Sequence, residues 1–318
     1  MISPPHGASP SRCSQYAEAF RVSPSGIPLG KTVLRLTHLP SSSNATGQSR
    51  FTLEIPLSSI TRERRRVRKP LGIKSYGSIP HLPGSRLGPG DHKCHEGQER
   101  IATVKTRDRH DEIIVLEKLD GSNVAIARVN GVIFALTRAG YIASTSPYEQ
   151  HHHFEKWVMR QQQRFFEILK DGERLNGEWL MQAHGTRYKL PHEPFVAFDL
   201  MTGAERMPYD EVLERINRAE IVTPHLLHRG AALSTDNAMR LLNVYGFHGA
   251  LDPVEGAVWR VERNELIHPN RSERRRIVDF LVKYVRPDKI DGVYLPEVSG
   301  NDPVFNWEPP RGRGKENT

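Results

Sequence analysis

The chain has 318 residues, with 45 Lys and Arg against 37 Asp and Glu for a net charge of +8. That length suits one large domain or two ordinary ones, each with its own core. No run approaches the ~18 apolar residues of a membrane span, and "MISPPHGASPSRCSQ" at the N-terminus has no apolar secretory segment. Cys13 and Cys94 are the only cysteines, too few by themselves for a disulfide framework or a zinc site. The expectation is a soluble protein of a reducing compartment, cytoplasmic by default and without membrane contact.

The positive charge is local. Residues 1–70 hold eleven basic and three acidic residues, 11 − 3 = +8, and the remaining 34 basic and 34 acidic residues cancel. Much of the excess is "RERRRVRK" (Arg62 to Lys69), set in a Ser-, Pro- and Gly-rich stretch with weak periodicity that reads as a disordered extension. Within it "RFTLEIPL" (Arg50 to Leu57) alternates briefly, as a short strand would. The arginine cluster is either a solvated basic linker or a nucleic-acid contact. In neither case does the high pI make the main body a polyanion binder.

From Leu71 the texture changes. "SYGSIPHLPGSRLGPGDH" is loop chemistry. The apolar run Ile113 to Leu116 then predicts a buried strand ending near Lys118. Val124 to Val129 and Val132 to Thr137 flank Asn130-Gly131, a strong hairpin signal because both turn residues must tolerate positive φ. Phe154, Trp157, Val158, Phe165, Ile168 and Leu169 recur at helical spacing and predict one helix over roughly Tyr148 to Lys170. His151, His152 and His153 sit on it, but consecutive helical positions point about 100° apart and cannot converge on one ion.

Three more strands are predicted at "RLNGEWLM" (Arg174 to Met181), "PFVAFDLM" (Pro194 to Met201) and "EGAVWRVE" (Glu255 to Glu262). Helices fall near Tyr209 to Arg218 and Thr235 to Tyr245, and a mixed segment runs from Arg275 to Gly292. Without a regular βαβ rhythm, this order favours an α+β fold of antiparallel sheets flanked by helices. Domain boundaries are expected at residues 1–70 for the basic extension, 71–300 for the folded domain and 301–318 for a disordered tail.

One charged set carries chemistry. A nucleophilic lysine must lose its proton, which at a pKa of ~10.4 requires desolvation or a neighbouring cation. Attack on a phosphate needs further cations for the developing charge, and carboxylates to hold a divalent metal. The parts occur in order: Lys118 with Asp120, Gly121 and Asn123; Arg138; Glu178 after Gly177; Phe198-Asp199; Glu255-Gly256; Lys283 and Arg286. Taken singly, each has an ordinary alternative: Phe198 as core, Asp120 as a turn former, Arg138 in a surface pair, Asp199 as a loop or capping residue, and Trp259 as packing.

As an ordered set, "EKLDGSN", "RAG", "LNGEWL", "FVAFDL", "EGAVWR" and "VKYVR" resemble the successive motifs of the covalent nucleotidyltransferase superfamily of polynucleotide ligases and mRNA-capping enzymes, most closely its RNA ligase branch. The resemblance spans roughly residues 72 to 292, including "YGSIPHLPGS". It implies a nucleotidyltransferase domain (the ATP-grasp-like ligase adenylation fold) in which Lys118 attacks the α-phosphate of ATP. The lysyl-AMP so formed passes AMP to a 5′-phosphate, and a 3′-hydroxyl then displaces it.

By the same resemblance Asp120, Glu178 and Glu255 hold Mg²⁺ or Mn²⁺, mostly through water. Phe198 stacks on adenine, Glu117 and Glu178 lie against the nucleotide, and Lys283 neutralises the α-phosphate. Asn123 and Arg138 contact phosphate or the polynucleotide end. The last motif often reads K-x-K; here Arg286 is the candidate for the second basic residue, toward substrate. Only 26 residues follow Gly292 (318 − 292), short of a C-terminal OB-fold, so a minimal RNA ligase acting as a monomer is expected. RNA is the expected partner, a DNA or DNA–RNA hybrid nick the alternative. A non-catalytic nucleic-acid binder using the Arg-rich segment is the alternative of another class.

Overall fold

A computed structural model of the chain describes residues 69–267 and 273–308. These all fall in a unit spanning Ile55–Thr318; a second unit, Met1–Glu54, lies outside the described residues. So do the expectations of a disordered extension and of a strand at Arg50 to Leu57.

In chain order the elements are α1 (Glu96–Thr103), β1 (Asp111–Lys118), β2 (Ser122–Val129), β3 (Val132–Thr137), a 3₁₀ turn (Ala143–Thr145), α2 (Glu149–Arg160), α3 (Gln162–Ile168), β4 (Glu173–Trp179), β5 (Phe195–Thr202) and β6 (Glu205–Arg206). There follow α4 (Tyr209–Asn217), β7 (Leu226–Gly230), α5 (Thr235–Leu242), β8 (Gly256–Leu266), β9 (Arg274–Val285) and α6 (Pro296–Ser299). They form two antiparallel sheets, β7-β1-β8-β9 and β3-β2-β4-β5-β6, flanked by helices. This is the expected α+β architecture.

Local chemistry accounts for the elements that position the site. The run Ile113–Leu116 is buried throughout, as a strand covered on both faces must be. Asn130 (φ 50) and Gly131 (φ 73) make the tight turn between β2 and β3, both in the left-handed region. The helix expected over Tyr148 to Lys170 is instead two helices broken at Gln161 (φ −118, ψ 18). The break leaves no mark on the pattern: Val158 and Phe165 are one heptad apart, so they face the same core whether the helix is continuous or not. Gln161 and Arg164 both bond the Glu193 carboxylate, which anchors the break.

Each sheet has its own core. Phe154, Trp157, Phe165, Trp179 and Phe195 pack behind the five-stranded sheet. Leu82, Ile113, Val115, Trp259, Val261 and Val282 fill the core of the four-stranded one. Trp259 is fully buried and donates its indole N–H to Leu233 O (2.9 Å), so the packing reading of that residue holds. In the stretch expected as a tail, Ala183 N donates to Val304 O (2.9 Å) and Asn306 N to Met181 O (2.8 Å), while Trp307 packs on the larger core. No helix among the described residues is long and apolar enough to cross a membrane.

Candidate active site

Lys118 is the last residue of β1, and the register pairs it with Gly256, the first of β8. A Cβ on Gly256 would lie 1.9 Å from Tyr284 O, so only glycine allows β8 and β9 to approach this closely here. The register therefore delivers Glu255, one residue earlier, to the end of β1. Lys118 Nζ donates to Glu255 Oε2 at 2.5 Å. Burial works against the ammonium, but the charges of Glu255, Glu178 and Asp120 outweigh it and hold the pKa above the usual lysine range. In this state Lys118 is a locked cation, not the activated amine that a nucleophile must become.

The carboxylates carry the opposite strain. Burial lifts Glu178 to about 7, Lys118 opposing and Glu255 and Asp120 reinforcing the rise. Burial likewise lifts Glu255 to about 7, with Lys118 opposing and Asp120 adding to it. Glu178 stands across from Asn123 in the β2–β4 register, and its Oε1 accepts from Gly121 N at 3.1 Å. Asp120 Oδ2 accepts from Gly185 N (3.0 Å) and Thr186 Oγ1 (3.2 Å).

A cavity of about 1260 Å³ opens in front of this cluster, lined from both sheets. Lys118, Asp120, Asn123, Arg138, Glu178, Phe198, Glu255 and Lys283, distant in sequence, all face it. Phe198 meets Tyr76 edge-on, ring centroids 5.1 Å apart. The Arg138 guanidinium donates to Gly77 O and Ser78 Oγ (both 3.3 Å) and is otherwise exposed. The Asn123 amide oxygen is buried with no partner in the protein. Lys283 pairs with Asp91 Oδ1 at 3.5 Å; burial and the Lys118 charge lower its pKa against the pull of Asp91 and Glu255.

Two expected residues are placed otherwise. Glu117 lines the cavity, but its carboxylate is fully buried and accepts from Phe247 N (3.1 Å). Strand alternation sends it away from Lys118. Arg286 does not line the cavity: β9 ends at Val285 and the guanidinium turns to Asp288 (3.4 Å). Asp199 is neither cap nor loop. It is buried beneath Phe198 in a network with Tyr76 Oη (2.6 Å), Arg206 Nε (3.1 Å) and Arg260.

Residue types alone did not single out several contributors. Tyr76 backs Phe198, His81 braces Asp91 (3.1 Å), and His151 lines the cavity between Ser122 Oγ (2.9 Å) and Ser146 Oγ (2.7 Å). Tyr76 and His81 lie in "YGSIPHLPGS", whose resemblance to a family segment was the one available signal. His151 was set aside with its neighbours because three adjacent histidines cannot share an ion; its ring bonds two serines instead.

Asp120, Glu178 and Glu255 are oxygen donors of the kind a hard dication takes. Among the described residues no group of three or more His, Cys, Asp or Glu is arranged to ligate a metal directly. As hard oxygen donors on one cavity, the three carboxylates fit a hydrated cation. The rise forced on Glu178 and Glu255 is the like-charge and burial strain that such a cation would relieve.

A family model described as RNA ligase matches residues 111–285, more than half of the chain. No curated protein matches. Among solved structures, an archaeal ATP-dependent RNA ligase is 18% identical with a TM-score of 0.37, covering 66% of this chain and 48% of that one. A Naegleria gruberi RNA ligase with PPi is 16% identical, TM-score 0.38, covering 61% and 53%. A variant of the same Naegleria enzyme with AMP and Mn is 14% identical, TM-score 0.40, covering 67% and 61%. The chain thus spans between about half and three fifths of the length of these structures. The likenesses are distant, and assignment to a family rests on the matched family model.

Proposed function

This chain belongs to the RNA ligase family, and from that premise we propose that it is an ATP-dependent RNA ligase that joins 5′-phosphate and 3′-hydroxyl ends through a lysyl-AMP intermediate. The observation that carries the reading is the convergence of Lys118, Asp120, Glu178, Phe198, Glu255 and Lys283 on one cavity.

Lys118 Nζ attacks the α-phosphorus of ATP. An N–P bond forms, the α–β P–O bond breaks, and pyrophosphate leaves. Nζ must give up a proton to attack, and Glu255 Oε2, hydrogen-bonded to it at 2.5 Å, is an acceptor within reach. Phe198, exposed to the cavity beside Tyr76, offers a face for adenine. The ammonium of Lys283 faces the same cavity as Lys118 and offsets charge developing on the α-phosphate. Asp120, Glu178 and Glu255 would hold a divalent cation through water, which would supply positive charge beside the phosphates.

The remaining steps use the same wall. AMP passes from Lys118 to a 5′-phosphate, making a phosphoanhydride, and the 3′-hydroxyl then displaces AMP to form the phosphodiester. Arg138, with an exposed guanidinium, would receive the phosphate of the polynucleotide end, and Asn123 faces the same cavity.

The test is sealing of labelled nicked duplexes in RNA, DNA–RNA hybrid and DNA form, with ATP and Mg²⁺ or Mn²⁺. ATP-dependent conversion of 5′-phosphate ends into phosphatase-resistant joints, fastest when RNA supplies the ends, is expected. Sealing confined to DNA would replace the substrate assignment, and no sealing of any nick or single strand would remove the ligase activity.

A further inference from the structure

We propose that Lys289 is a positioning residue that holds the nucleophile loop in its working arrangement by acting through Asp120. The proposal rests on the ligase reading above. Lys289 lies four residues beyond β9, outside every motif that the sequence suggested, and does not line the cavity. Its side chain is only 6% exposed.

An ammonium has three protons to donate, and here all three are used. They go to Gly185 O (2.8 Å), Pro253 O (2.9 Å) and Thr186 Oγ1. Asp120 Oδ2 lies 3.5 Å from the same nitrogen. The Thr186 hydroxyl, accepting from Lys289, donates in turn to Asp120 Oδ2 at 3.2 Å. Gly185 N donates to that oxygen as well. One buried charge thus ties three segments: the loop after Lys118, the turn at 185–186, and Pro253, two residues before Glu255.

The packing leaves this arrangement no slack. A Cβ on Gly185 would lie 2.6 Å from Ile290 O, 2.7 Å from Asp120 Oδ2 and 3.2 Å from Lys289 Cε. Asp120 N is held separately, donating to Tyr188 Oη at 3.2 Å. The purpose follows from the charges in front. Asp120 shares the cavity with Glu178 and Glu255, and three carboxylates around one ammonium repel each other. A fixed cation behind Asp120 holds it against that repulsion. It also ties down the chain leading to Glu255, so both carboxylates flanking Lys118 are aligned from one point. The last family-like motif lacks its second lysine, and Arg286 turns outward. Lys289 is the basic residue after Lys283 that turns inward, where it serves the loop and not the substrate.

The experiment follows single-turnover transfer of label from α-labelled ATP to the full-length protein, with thermal midpoints measured for every variant. Lys289→Met should slow adduct formation at saturating ATP by about 30-fold or more, because small misplacements at a reacting centre cost on the order of 100-fold. Half-saturating ATP should move less than about threefold, since the nucleotide wall is untouched. Asp120→Asn combined with Lys289→Met should be no slower than the slower single variant within about threefold, as expected for residues acting as one unit. Thr186→Ser should keep the wild-type rate and Thr186→Val should lose about three- to tenfold. Adduct formation by folded Lys289→Met at the wild-type rate, or losses that multiply in the double variant, would overturn the proposal. Should Lys289→Met fail to fold, the Thr186 pair decides: equal rates for Ser and Val overturn it. No adduct in the wild type would instead remove the ligase reading, and this proposal with it.

Discussion

The two sheets meet at one cavity and bring different things to it. The four-stranded sheet carries Lys118 and Lys283 at strand ends, with Glu255 one residue before β8. The five-stranded sheet and its turns carry Asn123, Arg138, Glu178 and Phe198. On the proposed function, the first set contains the groups that would make and break bonds, and the second would mostly surround the nucleotide and the polynucleotide end. Their supports differ as well. Aromatic packing around Phe154, Trp157 and Trp179 holds the five-stranded sheet. Beside its apolar cluster the four-stranded sheet leans on a lattice of ion pairs, in which Arg260 joins Asp199 to Glu262 and Arg276 joins Glu262 to Glu112. Asp199 belongs to β5, so this lattice also ties the two sheets together behind the cavity.

The largest effect should come from breaking that lattice. Arg260 is 1% exposed, and Arg260→Met would strand Asp199 and Glu262 as buried, under-compensated carboxylates. A loss of about 3–5 kcal/mol in urea unfolding is expected. A loss under about 1 kcal/mol would show that the apolar cluster alone supports this sheet.

Next is a split in kinetics between the sheets. Lys283→Met should lower the rate of adduct formation at saturating ATP by about 10²–10³, with half-saturating ATP little changed, if its charge matters most as the phosphate reacts. An increase in half-saturating ATP with an unchanged rate would move Lys283 to the binding side of the comparison.

A pH effect sharpens the comparison within β1 itself. Glu117, next to Lys118 but turned away, is lifted to about 7 by burial, with the Phe247 N–H pulling the other way. His248, 3.8 Å from it, is lowered to about 4 by burial and by His192 and His225, so it carries no charge to pair at neutral pH. Between the ordinary glutamate value of 4.5 and about 7, the folded chain keeps a proton that the unfolded chain has released. Stability due to this group is therefore full below pH 4.5 and falls as pH rises through 7, by up to about 3 kcal/mol. Glu117→Gln should flatten that part of the stability–pH curve. An unchanged slope in urea midpoints would show that Glu117 ionises normally.

The smallest of these effects belongs to the recognition side. Phe198→Ala should weaken ATP binding by about 1–3 kcal/mol, the usual worth of a base–aromatic stack, and leave the saturated rate nearly intact. A lost rate with unchanged ATP dependence would mean that Phe198 supports Tyr76 and Asp199 beneath it and does not meet the base.

Much of this arrangement was legible from the chain. Asn130-Gly131, the buried run at Ile113–Leu116 and the paired glycine and glutamate motifs mark strands and turns through local chemistry. What escaped is non-local. β7 is a five-residue edge strand without alternation, visible only once β1 is there to pair with it. The break at Gln161 hides behind an unbroken apolar face. Asp199 looked like a loop or functional residue because its four-way polar network is assembled from segments as far apart as Tyr76 and Arg260. Nothing local to Lys289 marks it, since Gly185, Thr186 and Pro253 reach it only in three dimensions.

Formation of a covalent nucleotide adduct tests the central claim most directly. The full-length protein would be incubated with α-labelled ATP and Mn²⁺ or Mg²⁺, denatured, and its label mapped to a peptide, beside Lys118→Ala. An acid-labile adduct of AMP on the peptide containing Lys118, transferred to the RNA 5′-phosphate when 5′-phosphate RNA is added to the native protein and absent in Lys118→Ala, is the predicted result. No label in the wild type across metals and pH, or full labelling of Lys118→Ala, would contradict the account.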